Sequence, residues 1–356
     1  MYTYQVRKSS LYCRNSIDSA RLDSLNYPQM AQVQLDWSPR KTFGEHIENR
    51  QSFASTQMQD AFLGVDLTNN FTELSRSYPK APISVKVGSV ADRVLLEFKG
   101  STLLIEAMIT SRKGLTTMIQ VYTYHLSALL SIEIEDAPVA VKVRGRIAGI
   151  PFAWGPVAHN PETRQTDQNL ASEDDVEKYV SNALEYLSWI HTEQSAQCIQ
   201  LLAVSSYLQK AARLRRLSER RWEFVAEEIL NFYRILNALF PWKEGKSMNT
   251  TRRELTKLGF PEVEIEALYI PAIVLRNQGD VAHVQLQPPE GEGRDLVCEY
   301  ADIAEGAFRK LLQVVAQKLM SKEYSIQVGS TTTAADSKKE PVERLKSAFD
   351  AYRMTM

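Results

Sequence analysis

The sequence predicts an α+β protein, with an N-terminal antiparallel β sandwich or barrel followed by a bundle of helices. Two observations carry this. Between residues 32 and 144, short apolar stretches alternate with polar residues at a period of two and are broken by tight turns. From residue 172 onward, apolar residues recur every three or four positions, the period of a helix buried along one face. The change of period falls across residues 156–171, a polar stretch containing Asn160-Pro161 and several Thr, Gln and Asn, which reads as a linker.

The strands follow in order. Gln32 to Trp37 is the first candidate. Residues 45–80 are compatible with a helix. Ile83, Val85 and Val87 alternate with Ser84 and Lys86. Arg93 to Phe98 and Leu103 to Ile109 bracket Lys99-Gly100-Ser101, a turn of hairpin length. Thr116 to Tyr124 is rich in β-branched and aromatic residues and reads as a strand, with His125 at its end. Ile132 and Ile134 alternate with Glu133 and Glu135 before Asp136-Ala137-Pro138 breaks the chain, and Val139, Val141 and Val143 then alternate with Lys142 and Arg144. Strands this short and closely spaced suggest a sandwich or barrel over residues 1–155.

The helices occupy residues 172–324. Ser172-x-x-Asp175 resembles a capping box with acidic residues in the first turn, followed by Val176, Tyr179, Val180, Ala183, Leu184 and Leu187 at helical spacing. A second helix is expected over Ala196 to Leu214. A third carries Trp222, Val225, Ile229, Phe232, Leu236 and Phe240 on one face and stops at Pro241. Thr251-x-x-Glu254 is a further capping box, opening a helix that ends at Gly259, and Pro261 begins the next. A Pro- and Gly-rich loop at 288–293 precedes a long helix from Leu296 to Met320. Residues 325–340 have the composition of a disordered segment, and 341–356 that of a terminal helix or tail.

Composition narrows the function classes. A chain of 356 residues suits two domains. Its formal net charge of -1 means that any polyanion site must come from local clustering. The three cysteines, Cys13, Cys198 and Cys298, are odd in number and far apart, which argues for reduced thiols rather than a disulfide framework or a zinc site. No two histidines stand at metal-binding spacing, so neither metal nor cofactor is expected. No apolar h-region follows Met1 and no run approaches the ~20 apolar residues of a membrane span, so the expected location is cytoplasmic.

The chemistry concentrates in Leu275-Arg276-Asn277-Gln278-Gly279-Asp280-Val281-Ala282-His283. Seven residues are close to two helical turns, so Arg276 and His283 would emerge on nearly the same face, about 10 Å apart along one helix. Arginine offers a planar, permanent cation suited to phosphate, and histidine moves a proton near neutral pH. That pair suits phosphodiester cleavage. Gly279 lies between them, where a helical glycine costs about 1 kcal/mol relative to alanine.

This segment, inside a run of helices, resembles the signature of the HEPN family: Arg, a polar residue that is often Asn, and His after an interval of four to six residues. Six residues separate Arg276 from His283. The Trp222–Pro241 helix, the Leu258-Gly259-Phe260 turn and the approach from Glu262 to Ala272 are similar to family features. The resemblance is clearest over residues 196–320. It implies a small helical bundle that pairs as a homodimer, and an endoribonuclease that needs no metal. Arg276 would neutralise the scissile phosphate, His283 would transfer a proton while the ribose 2′-hydroxyl attacks, and Asn277 would orient the site. Stress response or defence is the biology such an activity implies by analogy.

A second feature is the basic run Arg213, Arg215, Arg216, Arg220 and Arg221. It reads either as an RNA-backbone stripe leading to the cleft or as a solvated helix end whose cations suit the helix C-terminus. Trp222, next in the chain, is expected in the core, and Glu227-Glu228 on a solvated face. The expected partners are RNA, a second copy of the chain and a regulatory protein, with no membrane. The alternative is a non-catalytic HEPN dimerisation module whose β-domain recognises a protein or ligand.

Overall fold

The computed structural model describes residues 11–12, 22–43, 46–48, 75–77, 83–87, 94–135, 137–154, 173–217, 222–242, 245–278 and 292–327. The linker at 156–171, the segment expected as a terminal helix or tail, and all but the first three residues of the segment expected to be disordered lie outside them. Nine strands, β1 (Leu11–Tyr12), β2 (Gln29–Ser38), β3 (His46–Glu48), β4 (Ser75–Ser77), β5 (Ile83–Val87), β6 (Val94–Lys99), β7 (Thr102–Ile109), β8 (Val139–Ile147) and β9 (Ile150–Trp154), are present among the described residues. Seven of them form one antiparallel sheet in the order β1-β9-β8-β2-β7-β6-β5, and β3 pairs only with β4.

The period-two pattern explains the sheet. On β2, Ala31, Val33, Leu35 and Trp37 are buried while Met30 and Gln32 are exposed, so one face packs and the other is open. The β6–β7 hairpin turns at Gly100-Ser101, with Lys99 opposite Thr102, and Gly100 takes the positive φ of 55° that this turn requires. Trp37, Phe43 and Phe98 lie within 6.1–6.4 Å of one another, centroid to centroid, under one end of the sheet.

Three expectations are corrected here. Ile132 and Glu133, expected on a strand, end a helix whose C-cap is Ile134. The segment Thr116–Tyr124 is helical, not a strand. It spans the second half of α1 (Arg112–Gln120) and most of a π-helical turn (Val121–His125), which leads into α2 (Leu126–Glu133). Ser111 caps the start by accepting from the Gly114 N–H at 3.0 Å, and Leu115, Ile119, Tyr122 and Leu126 are buried at helical spacing. That burial outweighs a β-branched, aromatic composition that favours strand. Among the described residues the sandwich or barrel is replaced by the small β3–β4 pair and one open sheet of seven strands. Its apolar face shares one hydrophobic cluster with α1, the π turn and α2, so a helix covers it and no second sheet is needed.

The C-terminal half holds α3 (Glu173–Glu193), α4 (Ala196–Leu217), α5 (Val225–Leu239), α6 (Ser247–Leu258), α7 (Glu262–Glu264), a π-helical turn (Ile265–Tyr269), α8 (Ile270–Gln278) and α9 (Glu292–Met320). Helix α6 starts about a turn before the expected capping box, so Thr251 and Glu254 are buried inside it. It ends as expected at Gly259, with φ 96°. At the centre, Phe232 stacks on Phe308 at 4.8 Å, and Tyr269 meets Phe308 edge-on at 5.4 Å while donating to the Ala307 carbonyl at 3.1 Å. No helix among the described residues is long and apolar enough to cross a membrane.

The two halves meet at α2, which packs against α3, α4 and α9. The last carbonyls of a helix lack intrahelical partners, and here the bundle supplies them. Arg309 donates to the Ser131 carbonyl at 3.3 Å and Gln313 to that of Ile132 at 3.1 Å. Just beyond, Arg216 donates to the Glu135 carbonyl and Gln209 to that of Pro138. The hydrophobic cluster therefore continues from the sheet into the helices.

Gly145 on β8 is required by close approach. A Cβ there would stand 2.5 Å from the Gln32 carbonyl oxygen and 2.5 Å from the Phe152 ring. Gly145→Ala is expected to destabilise the protein by about 1–3 kcal/mol in urea denaturation. A loss below about 0.5 kcal/mol would mean that the strands separate at no cost.

Candidate active site

Arg276 lies in the last turn of α8, half-buried, with its guanidinium 4.9 Å from the centre of the Tyr233 ring on α5. Tyr233 in turn meets Trp242 edge-on at 5.6 Å. A cation over an aromatic face is held by the ring quadrupole, so α5 positions this guanidinium at the C-terminal end of α8. Helix α8 reaches Gln278 as described. Asn277 is within it, but its side chain lies outside the described residues, as does the whole of His283. The structure thus places Arg276 on the bundle and leaves its pairing with His283 as an expectation.

The basic run divides. Arg215 is held by α9: Nη2 lies 2.7 Å from Asp302 Oδ1 and Nη1 lies 3.6 Å from Glu305 Oε2. Arg216 is engaged with the Glu135 carbonyl, as above. Arg213 is half-buried, and burial pulls its pKa below the ordinary value. These contacts tie Arg215 and Arg216 into the fold and differ from a stripe of solvated cations. Arg220 and Arg221 lie outside the described residues. Trp222 is 40% exposed, not in the core as expected.

Sequence reasoning missed the charged cluster beside Arg215. Glu305 and Arg309, one helical turn apart on α9, form a 2.6 Å ion pair, and both side chains are less than a tenth exposed. Glu228 on α5, expected on a solvated face, is buried. Burial pushes its carboxyl up to about 7 from 4.5; Arg215 opposes this, while Glu305 and Glu227 add to it. The spacing Glu305-x3-Arg309 amid apolar positions was the available signal. A second polar cluster sits at α2, where Glu133 accepts from Tyr186 Oη at 2.7 Å and from Asn182 Nδ2 at 3.0 Å. His125 lies on the π turn, not on a strand; burial, and secondarily His191 nearby, lowers its pKa.

A raised carboxyl pKa favours the protonated form in the folded state. The stability Glu228 contributes is therefore present below about 4.5 and is lost as pH rises through about 7. Glu228→Gln is expected to match wild type at pH 4.5 and to exceed it by up to about 3 kcal/mol at pH 8, measured by urea denaturation. A constant difference across that range would show that Glu228 stays ionised.

The described residues define an α+β protein whose N-terminal sheet is built onto a largely C-terminal set of helices. Comparison with protein-family models, curated proteins and solved structures found no match.

Proposed function

We propose that the chain is an endoribonuclease with a HEPN-like helical half, which cleaves RNA without a metal at a cleft formed by two copies of the Arg276–His283 motif. The observation that carries this reading is the Arg-Asn-x5-His pattern within a run of helices, with Arg276 steadied on Tyr233. In the reaction, His283 takes the proton of the ribose 2′-hydroxyl as its oxygen attacks phosphorus, and the bond to the 5′-oxygen breaks. A protonated histidine returns a proton to that leaving oxygen. Arg276 neutralises charge on the phosphoryl oxygens, and Asn277 orients the site. The products carry a 2′,3′-cyclic phosphate and a 5′-hydroxyl.

The test is incubation of the full chain with total cellular RNA in EDTA. Cutting of RNA but not of DNA of the same sequence, with cyclic 3′ ends, supports the reading, because DNA lacks the 2′-hydroxyl. Inert protein, or ends bearing a 3′-hydroxyl, overturns it. A second reading, in which the helices only pair and the sheet recognises a ligand, is favoured by one observation: the open face of the sheet holds a concavity of about 630 Å³.

A further inference from the structure

The helices cover one face of the sheet; the other face is chemically asymmetric. On its open side β8 carries Lys142, Arg144 and Arg146, which the register places opposite Asp36, Gln34 and Gln32 on β2. On the far side of β2, Gln32 faces Glu106 and Gln34 faces Leu104 of β7. The face therefore runs from a cationic column, through an amide column, to an acidic and apolar one. Residues two apart along β8 project about 7 Å from each other, and strands two apart are about 10 Å distant, so cations and carboxylate flank a site of small-molecule width.

The cations are available. Among the described residues, Lys142 and Arg146 make no ion pair, and Arg144 is half-exposed, with only a 4.0 Å approach to Asp36. Gln32 Nε2 donates to Glu106 Oε1 at 2.8 Å and Gln34 Nε2 to Asp36 Oδ1 at 2.8 Å. Those bonds fix the two amides in place while each keeps a carbonyl oxygen, and the Glu106 carboxylate keeps further acceptor capacity. The concavity over these residues, about 630 Å³, lies in the range of small-molecule sites.

We propose that this concavity binds a nucleotide with an amino-bearing base, its phosphate on Arg144 and Arg146 and its base edge over Leu104 against Gln32 and Glu106. Paired guanidiniums match a doubly charged phosphate better than a single carboxylate. Glu106 only accepts, so it favours bases whose exocyclic group donates, the amino groups of adenine, cytosine and guanine, over uracil, whose exocyclic groups are both carbonyls and which donates only through N3–H. The site is distinct from Arg276 and stands whether or not the chain cuts RNA.

The experiment is calorimetric titration of the full chain with AMP, CMP, UMP and inorganic phosphate. AMP and CMP are expected to bind at least about tenfold more tightly than UMP or phosphate. Arg144→Glu and Arg146→Glu, on a solvent face where folding is checked by circular dichroism, are expected to weaken AMP at least about tenfold. Glu106→Gln should bring UMP to within about threefold of CMP. Equal affinity for all four probes, or charge-reversal variants that bind AMP unchanged, overturns the proposal. In a fifth titration, with a hexaglutamate peptide, tighter binding than that of AMP overturns it in favour of an acidic protein partner.

Discussion

Arg309→Ala is expected to lower the stability of the folded chain by about 3–5 kcal/mol, the cost of leaving one member of a buried ion pair behind. Arg309 and Glu305 are both buried and 2.6 Å apart, so the alanine variant strands the Glu305 carboxylate in a site already holding the buried Glu228. It also removes the donor to the Ser131 carbonyl at the end of α2. Arg215, 3.6 Å from Glu305, takes up part of the charge, which sets the lower end of the range. The double variant Glu305→Leu/Arg309→Met should recover most of the loss, since apolar side chains of similar volume often replace a buried pair without penalty. Urea denaturation of the three variants measures this. A loss under about 1 kcal/mol for Arg309→Ala would show that water or Arg215 already solvates the pair.

That cluster marks the limit of what pattern reading reaches. The β6–β7 hairpin was legible because its two apolar runs bracket a two-residue turn that Gly100 can make. Strands β2 and β8 were legible because, away from the register shift near Ala140, alternating residues sort between a packed and an open face. Thr116–Tyr124 misled because composition and period disagreed. Its β-branched and aromatic residues favour strand, yet Leu115, Ile119, Tyr122 and Leu126 already stand at helical spacing. Where length allows two turns of helix, period is the better guide, because it reflects which side chains share a buried face. The charged cluster was missed for a different reason, since the Glu305-x3-Arg309 spacing hints at the ion pair but not at the partners from other helices. Glu228, Glu305 and Arg215 come from three helices, and only their packing together removes water from carboxylates that each helix alone would leave solvated. The same holds for the basic run: neighbours along α4, Arg215 and Arg216 reach different structural partners, Asp302 on α9 and the Glu135 carbonyl beyond α2.

His283→Ala is expected to reduce the rate of RNA cleavage by about 10²–10⁴-fold, the usual contribution of a positioned acid–base group. Arg276→Ala should cost about 10²–10³-fold by removing charge stabilisation of the transition state. The double variant should be no worse than about tenfold below the poorer single one, because residues that act as a unit lose their effect together. Arg276 also packs on Tyr233, so its alanine variant loses a cation–π contact of about 0.5–1 kcal/mol and needs a control for folding. Arg276→Lys supplies it: the charge stays near the ring, while the planar fork that would grip two phosphoryl oxygens in the proposed reaction is lost. If Arg276→Lys is stable yet cuts at least about tenfold more slowly than wild type, the guanidinium acts on phosphate and not merely on the fold. If His283→Ala cuts as fast as wild type, no proton passes through that side chain. Arg276 would then be an arginine packed at the end of a helix, and the open sheet face the better place to look for what the chain binds.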